Sequence, residues 1–256
     1  TSLTLKAKQV WRVNEDGEIR DLFRSLRYVF EMSEKRFFEH YSESKVKTND
    51  SYLKLLNSQI SEIHDKIPDL PFSNIWVASK MSQEIPEGSS IHFAILNSLR
   101  SWNFFELPES VNSSSNVGGF GIDGCMSSLI GASLTNEDKL FFCVIGDLAF
   151  FYDMNVLGNR HLGKNVRILI INNGVGQEFK NFNHPASNLK EDADTLIAAG
   201  GHFGNKSKNL VRHYAQDLGF EYLHADNKDE FDNVYKRFLT TEITERPMIF
   251  EVFTND

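Results

Sequence analysis

Two short stretches of this chain carry residue types that could do chemistry together. One is Gly146-Asp147, which closes an apolar run starting at Leu140; the other is Asn172-Asn173-Gly174-Val175-Gly176, which closes the next such run. Asp147 and Asn173 lie 26 positions apart, the length of a helix plus a strand in a right-handed crossover. A carboxylate, an amide oxygen and a nearby main-chain carbonyl are hard donors. They suit magnesium, which keeps several waters and takes other ligands from phosphates. Gly146 has no side chain to hold a phosphate away, and a helix starting near Leu148 would aim free N–H groups at an anion. Taken singly, an aspartate there is more often a helix cap, and Asn-Asn-Gly is ordinary turn chemistry. Together, at the ends of successive strands, they describe a metal-bridged diphosphate site.

The elements that would position these residues follow from the apolar pattern. Residues 91–96, 140–145, 166–171 and 248–253 are near-continuous apolar runs, as expected of strands buried on both faces. Helical stretches fall between them, at 125–133, 150–158, 207–218 and 230–239. The expectation is an α/β fold, a mostly parallel sheet with helices on both faces, whose ligand lies outside the carboxyl ends of the strands. Upstream, residues 8–13 suit a short strand, Ser33 suits the cap of a helix through Tyr41, and 51–66 suit a helix with a stripe of Leu53, Leu56, Ile60 and Ile63. Pro68 and Pro71 break the chain before Ser73, which can cap a helix through Met81.

Composition narrows the classes. The 256 residues, 41% hydrophobic, suffice for one large core or a core with a small appendage. A formal charge of −8 argues against a general nucleic-acid binder. No apolar block is long enough to span a bilayer, and no charged-then-apolar leader opens the sequence, so neither membrane nor secretion is expected. Cys125 and Cys143 lie in apolar surroundings without C-x-x-C spacing, which predicts two buried free thiols and a cytoplasmic setting. His40, His64, His213 and His224 share no metal-ligand spacing.

Gly146-Asp147 followed by Asn172-Asn173 resembles the Gly-Asp…Asn-Asn signature of thiamine-diphosphate enzymes. More specifically, the stretch from Gly146 through Leu148, Asp153 and Asn155 looks like that of the menaquinone-pathway synthases of MenD type. Gly118-Gly119-Phe120-Gly121-Ile122-Asp123-Gly124 and Asn97-Ser98-Leu99 look like two further blocks of the same family, in the same order and at similar distances. Trp11-Arg12-Val13 and Val29-Phe30-Glu31-Met32 resemble the end of its central domain, so the resemblance runs from about residue 9 onward. It implies the diphosphate-binding fold and a cofactor pair of thiamine diphosphate and Mg2+. Asp147, the Asn173 side chain and the Val175 carbonyl would hold the metal. Asn97, Ser98, Gly146, Leu148, Ala149 and Gly176 would line the diphosphate. Ile122 would be the wedge that bends the cofactor, and the Phe120 carbonyl would accept from its aminopyrimidine.

The resemblance further implies that residues 1–48 are the tail of a central domain with its linker and 49–256 the cofactor domain. The activating glutamate would then lie in an N-terminal domain outside this sequence, leaving the chain with no catalytic residue of that kind and inactive alone. A 2-oxo acid substrate, that N-terminal domain and further copies of the chain are the partners it implies. Three departures bear on specificity. The family's Asn-Arg-Gly reads Asn116-Val117-Gly118, a second arginine position falls on Trp102 with Arg100 out of register, and an aliphatic position falls on Glu178. Loss of two cations from a dicarboxylate pocket points to a paralogue acting on another 2-oxo acid. The segment 198–207 offers His202 and Lys206 for an anionic substrate, and His184 sits in a long polar loop. Two rivals stand beside this reading: a binding subunit of a split thiamine-diphosphate enzyme, and a dinucleotide-binding α/β protein using Gly119-x-Gly121-x-x-Gly124.

Overall fold

The structure is a computed structural model and describes residues 7–42, 49–119, 121–202 and 207–255. The chain divides into two compact units, Thr1–Ile67 and Pro68–Asp256.

In the first unit β1 (Val10–Asn14) pairs in parallel with β2 (Leu26–Glu31). Trp11 meets Tyr28 edge-on at 5.5 Å, and Phe30 meets Phe37 of α1 (Glu34–Ser42) at 5.0 Å. These ring contacts serve in place of a core, since no residue of α1 is buried. The same holds for α2 (Ser51–Asp65), whose Leu53, Leu56, Ile60 and Ile63 stay exposed.

The second unit opens with α3 (Asn74–Met81), started as its sequence predicts by Ser73, whose Oγ accepts the Trp76 N–H at 3.2 Å. Then follow β3 (Ser90–Phe93), α4 (Asn97–Trp102), β4 (Asn112–Ser115), α5 (Cys125–Ser133), β5 (Phe141–Gly146), α6 (Asp147–Asp153) and β6 (Val166–Asn172). The chain closes through α7 (Asp192–Leu196), α8 (Leu210–Asp217), β7 (Glu221–Ala225), α9 (Lys228–Phe238) and β8 (Met248–Phe253). Six strands form one sheet in the order β4-β3-β5-β6-β8-β7, every pair parallel. Alternate residues along each strand feed two cores. Phe142, Leu169 and Phe250 pack with Trp76 and Phe231, on the face covered by α3 and α9. Phe141, Ile168 and Ile249 pack with Leu129, Phe150 and Val211, on the face covered by α5, α6 and α8. Each such side chain contributes about 1.5–3 kcal/mol by leaving water. This is the α/β sheet with helices on both faces that the sequence predicts, and it is consistent with a diphosphate-binding domain.

Some boundaries shift. The apolar run at 91–96 is a strand only as far as Phe93, because Leu96 takes a left-handed backbone with φ 68° and turns the chain into α4. The helix read at 150–158 begins already at Asp147 and ends as a 3-10 turn over Met154–Gly158. Cys125 and Cys143 are free and buried, and burial pushes both thiols above their ordinary range. At the start of β6 a fully buried Arg167 donates to the carbonyls of Lys164 at 3.0 Å and Glu242 at 3.2 Å, and to Thr244 Oγ1 at 2.9 Å. Burial lowers its guanidinium to about 10, so it remains charged at neutral pH. Among the described residues no helix is long and apolar enough to cross a membrane.

Candidate functional site

Strands β5 and β6 are immediate neighbours, with Gly146 opposite Ile171, so their carboxyl tips open at one place. Asp147, the first residue of α6, is 2% exposed there. Its Oδ2 accepts the Gly174 N–H at 2.8 Å, which fastens the Asn-Asn-Gly turn to the end of β5. Gly174 has φ 72°, a conformation glycine adopts without penalty. Asn173 Oδ1 accepts the Val175 N–H at 3.2 Å.

Asp147, Asn173 and Val175 all line a single cleft of about 320 Å3. Asn97 and Ser98 at the start of α4 line it as well, as do Gly146, Leu148 and Ala149 around the start of α6. Gly176 and Ile122 complete the set. Every predicted metal and cofactor residue thus borders one space, except Phe120, which lies outside the described residues. Two glycines have different reasons to be there. A Cβ on Gly146 would meet nothing within 4 Å, so the backbone faces open space. A Cβ on Gly176 would come within 2.9 Å of the Ala198 carbonyl, so the backbone of a later segment excludes it.

Several residues at or behind the site are not among those the sequence singles out. Asn74 lines the cleft with its Oδ1 buried and without a partner among the described residues. Glu251 of β8, 1% exposed, accepts from Asn172 Nδ2 at 2.7 Å and from the Tyr222 hydroxyl at 2.6 Å. Burial, with nearby Asp147 adding to it, raises the Glu251 carboxyl to about 7. The same burial and the Glu251 charge push the Tyr222 phenol far up. Only a buried acid within an apolar strand (Met248-Ile249-Phe250-Glu251) hinted at this network.

The His202 side chain is 9% exposed and is not among the residues that border the cleft. Its Nε2 lies 2.6 Å from Asp147 Oδ2, and its ring meets Phe151 edge-on at 5.5 Å. Lys206 lies outside the described residues. His184 accepts the Ala186 N–H at 3.1 Å and caps the 3-10 turn Pro185–Leu189. A larger cavity of about 600 Å3, bordered by Trp102, Phe105, Leu107 and Val111, includes none of the predicted metal or cofactor residues. Among the described residues no three His, Cys, Asp or Glu side chains converge as a metal site. The strand-tip set contains one carboxylate, one amide and one carbonyl.

Comparison with known proteins agrees with this arrangement, although no family model matches the chain. It is 32% identical over 249 residues to the 2-succinyl-5-enolpyruvyl-6-hydroxy-3-cyclohexene-1-carboxylate synthase of Bacteroides fragilis, across 97% of this chain and 43% of that protein. The synthases of Bacteroides thetaiotaomicron and Phocaeicola vulgatus are 31% and 32% identical over 248 residues each, again across 97% of this chain. The chain resembles the C-terminal part of a MenD-type synthase. It spans less than half the length of these curated relatives.

Against the MenD-type pattern, two of the departures prove to be partners. Arg100 on α4 forms an ion pair with Glu178 in the turn after β6, and Asn181 Nδ2 donates to the same carboxylate at 3.1 Å. Trp102 is 3% exposed and packs on Phe93, so that position is core. Val117 is half exposed.

The dinucleotide rival fails on two observations. The glycines at 119, 121 and 124 do lie between a strand and a helix, but β4 is an edge strand whose one neighbour is β3, so β4-α5-β5 is not a unit of adjacent strands. The start of α5 is also occupied: Asp153 accepts from the Ser127 N–H at 2.7 Å and its hydroxyl at 2.5 Å. A carboxylate sits where a pyrophosphate would have to lie.

Proposed function

We propose that this chain is the cofactor-diphosphate-binding part of a thiamine-diphosphate- and Mg2+-dependent decarboxylase or carboligase acting on a 2-oxo acid in the cytoplasm. The observation that carries the reading is the shared cleft of Asp147, Asn173 and Val175 at two adjacent strand tips. The donor set fits the implied ion. Asp147 Oδ2 is engaged by Gly174 and His202, while Oδ1 has no hydrogen bond among the described residues. Magnesium suits such a site because one or two carboxylates suffice for it, with neutral oxygens, phosphate and water filling the rest. The open face of Gly146 gives a diphosphate room to approach.

In this reading Asp147, the Asn173 amide and the Val175 carbonyl hold the cation. Gly146, Leu148, Ala149, Asn97, Ser98 and Gly176 border the diphosphate, and Ile122 with the Phe120 carbonyl sets the cofactor's bend. When bound, thiamine diphosphate supplies an electron sink for the carbanion left by decarboxylation. The chain's own residues anchor, orient and keep water out. The activating glutamate belongs to the part of the relatives this chain does not match, so the 256 residues alone are proposed to be inactive. Residues 1–48 would be the end of a preceding domain with its linker and 49–256 the cofactor domain, in an oligomer that completes the site. The Arg100–Glu178 pair favours a substrate other than the dicarboxylate of the MenD-type reaction, since Arg100 is already neutralised by a residue that borders the cleft.

Isothermal titration of the full-length protein with thiamine diphosphate tests the reading. Binding should need Mg2+, and Asp147→Ala should abolish it; heat from a nicotinamide dinucleotide, or cofactor uptake indifferent to Mg2+, would overturn it. The 256-residue chain should release no CO2 from 2-oxo acids under the same conditions.

A further inference from the structure

The segment leading to His202 folds back over the Asn-Asn-Gly turn and is bonded to it twice through the backbone. The Gly176 N–H donates to the Ala198 carbonyl at 2.5 Å, and the Gly201 N–H donates to the Gly174 carbonyl at 3.1 Å. This approach requires glycine at 176, and Gly201 at φ 72° turns the chain so that the next side chain points inward. The His202 side chain is 9% exposed, its Nε2 is 2.6 Å from Asp147 Oδ2, and Phe151 packs edge-on against its ring. A carboxylate oxygen accepts, so Nε2–H donates.

We propose that His202 is a positioning residue of the cation site, a reading that rests on the function proposed above. With the Gly174 N–H and the His202 N–H both on Oδ2, the carboxylate cannot rotate without breaking two hydrogen bonds, and Oδ1 is held toward the cleft. The backbone bonds of the same segment hold the turn that carries Asn173 and Val175. One clamp therefore fixes all three proposed ligands relative to one another. Groups that orient a ligating carboxylate change metal affinity by about 10- to 100-fold when removed.

Two variants of the full-length protein separate the hydrogen bond from ring packing. His202→Phe keeps a ring against Phe151 and removes the donor; His202→Gln removes the ring and keeps an N–H that can reach a carboxylate. Thiamine diphosphate binding is measured by calorimetry across a Mg2+ series, with Mn2+ and its EPR signal as a direct count of bound cation. In His202→Phe the Mg2+ needed for half-saturation should rise about 10- to 100-fold, with cofactor affinity restored at saturating Mg2+. His202→Gln should stay close to wild type. An unchanged Mg2+ requirement in His202→Phe overturns the clamp, as does the reverse pattern, with Phe tolerated and Gln impaired. A wild-type protein that binds no thiamine diphosphate with Mg2+ overturns the site reading itself, whatever residue 202 is.

Discussion

The two ends of one sheet each bury a charge, and they treat it differently. At the amino-terminal end, Arg167 spreads its guanidinium over two loop carbonyls and a threonine hydroxyl, with no acid within ion-pair range among the described residues. At the carboxyl-terminal end, Asp147 borders a cleft and has both its side-chain hydrogen bonds on one oxygen, with none on the other among the described residues. The first arrangement engages both terminal nitrogens with the protein's own oxygens and leaves Nε buried without a partner among the described residues. The second is half complete, and its unbonded oxygen is the one the proposed cation would use. A buried charge is informative about ligands when its own fold leaves part of it unsatisfied and the residue also borders open space.

That contrast can be broken by stability measurements, from the largest effect to the smallest. Arg167→Ala should destabilise the protein by about 2–5 kcal/mol in urea melts, because it deletes a large fully buried side chain and opens a cavity. A loss below that of an ordinary surface change would show that the arginine is not fully engaged. Glu251 gives a pH signature. Its folded-state carboxyl titrates near 7, above its ordinary 4.5, so the folded state binds the extra proton between those values. Its contribution is therefore full below about pH 4.5 and is lost as pH rises through 7, of order 2–3 kcal/mol. Glu251→Gln should flatten the fall in melting temperature between pH 5 and 8; an unaltered slope would assign it elsewhere. Asp147→Asn should leave the ligand-free protein as stable as wild type, or up to about 1 kcal/mol more so, because it removes a buried charge and keeps an acceptor for Gly174. It should also remove any Mg2+-dependent gain in melting temperature. Asn227→Ala is the control at the same end of the sheet. Asn227 Oδ1 caps α9 through the Glu230 N–H at 2.9 Å, so its loss should cost about 1 kcal/mol and leave cofactor binding untouched.

What the sequence made legible follows the same division between complete and incomplete burial. β5, β6 and β8 are recognisable as apolar runs because both faces are covered. The two strands that escaped, β4 with Asn112-Ser113-Ser114-Ser115 and β7 with Glu221-Tyr222-Leu223-His224-Ala225, are the two edges of the sheet. There one side faces water and the apolar signal is diluted. Asp147 and Asn173 were readable because each sits at the end of a clear strand. His202 stands out only as a candidate substrate contact, since its bond to Asp147 spans 55 positions and depends on a fold-back that no local pattern encodes. Glu251 showed only as an acid in an apolar strand, and its partners Asn172 and Tyr222 come from β6 and β7.

The buried cysteines have a practical use. Thiol-directed dyes react with the thiolate, and both Cys125 and Cys143 are shielded from solvent and held toward the neutral form. A single new thiol on the surface would then be the one that labels. Phe182, 95% exposed and four residues after Glu178, offers such a place. A fluorophore on Phe182→Cys would follow the loop beside the cleft in real time, with both native cysteines left in the chain.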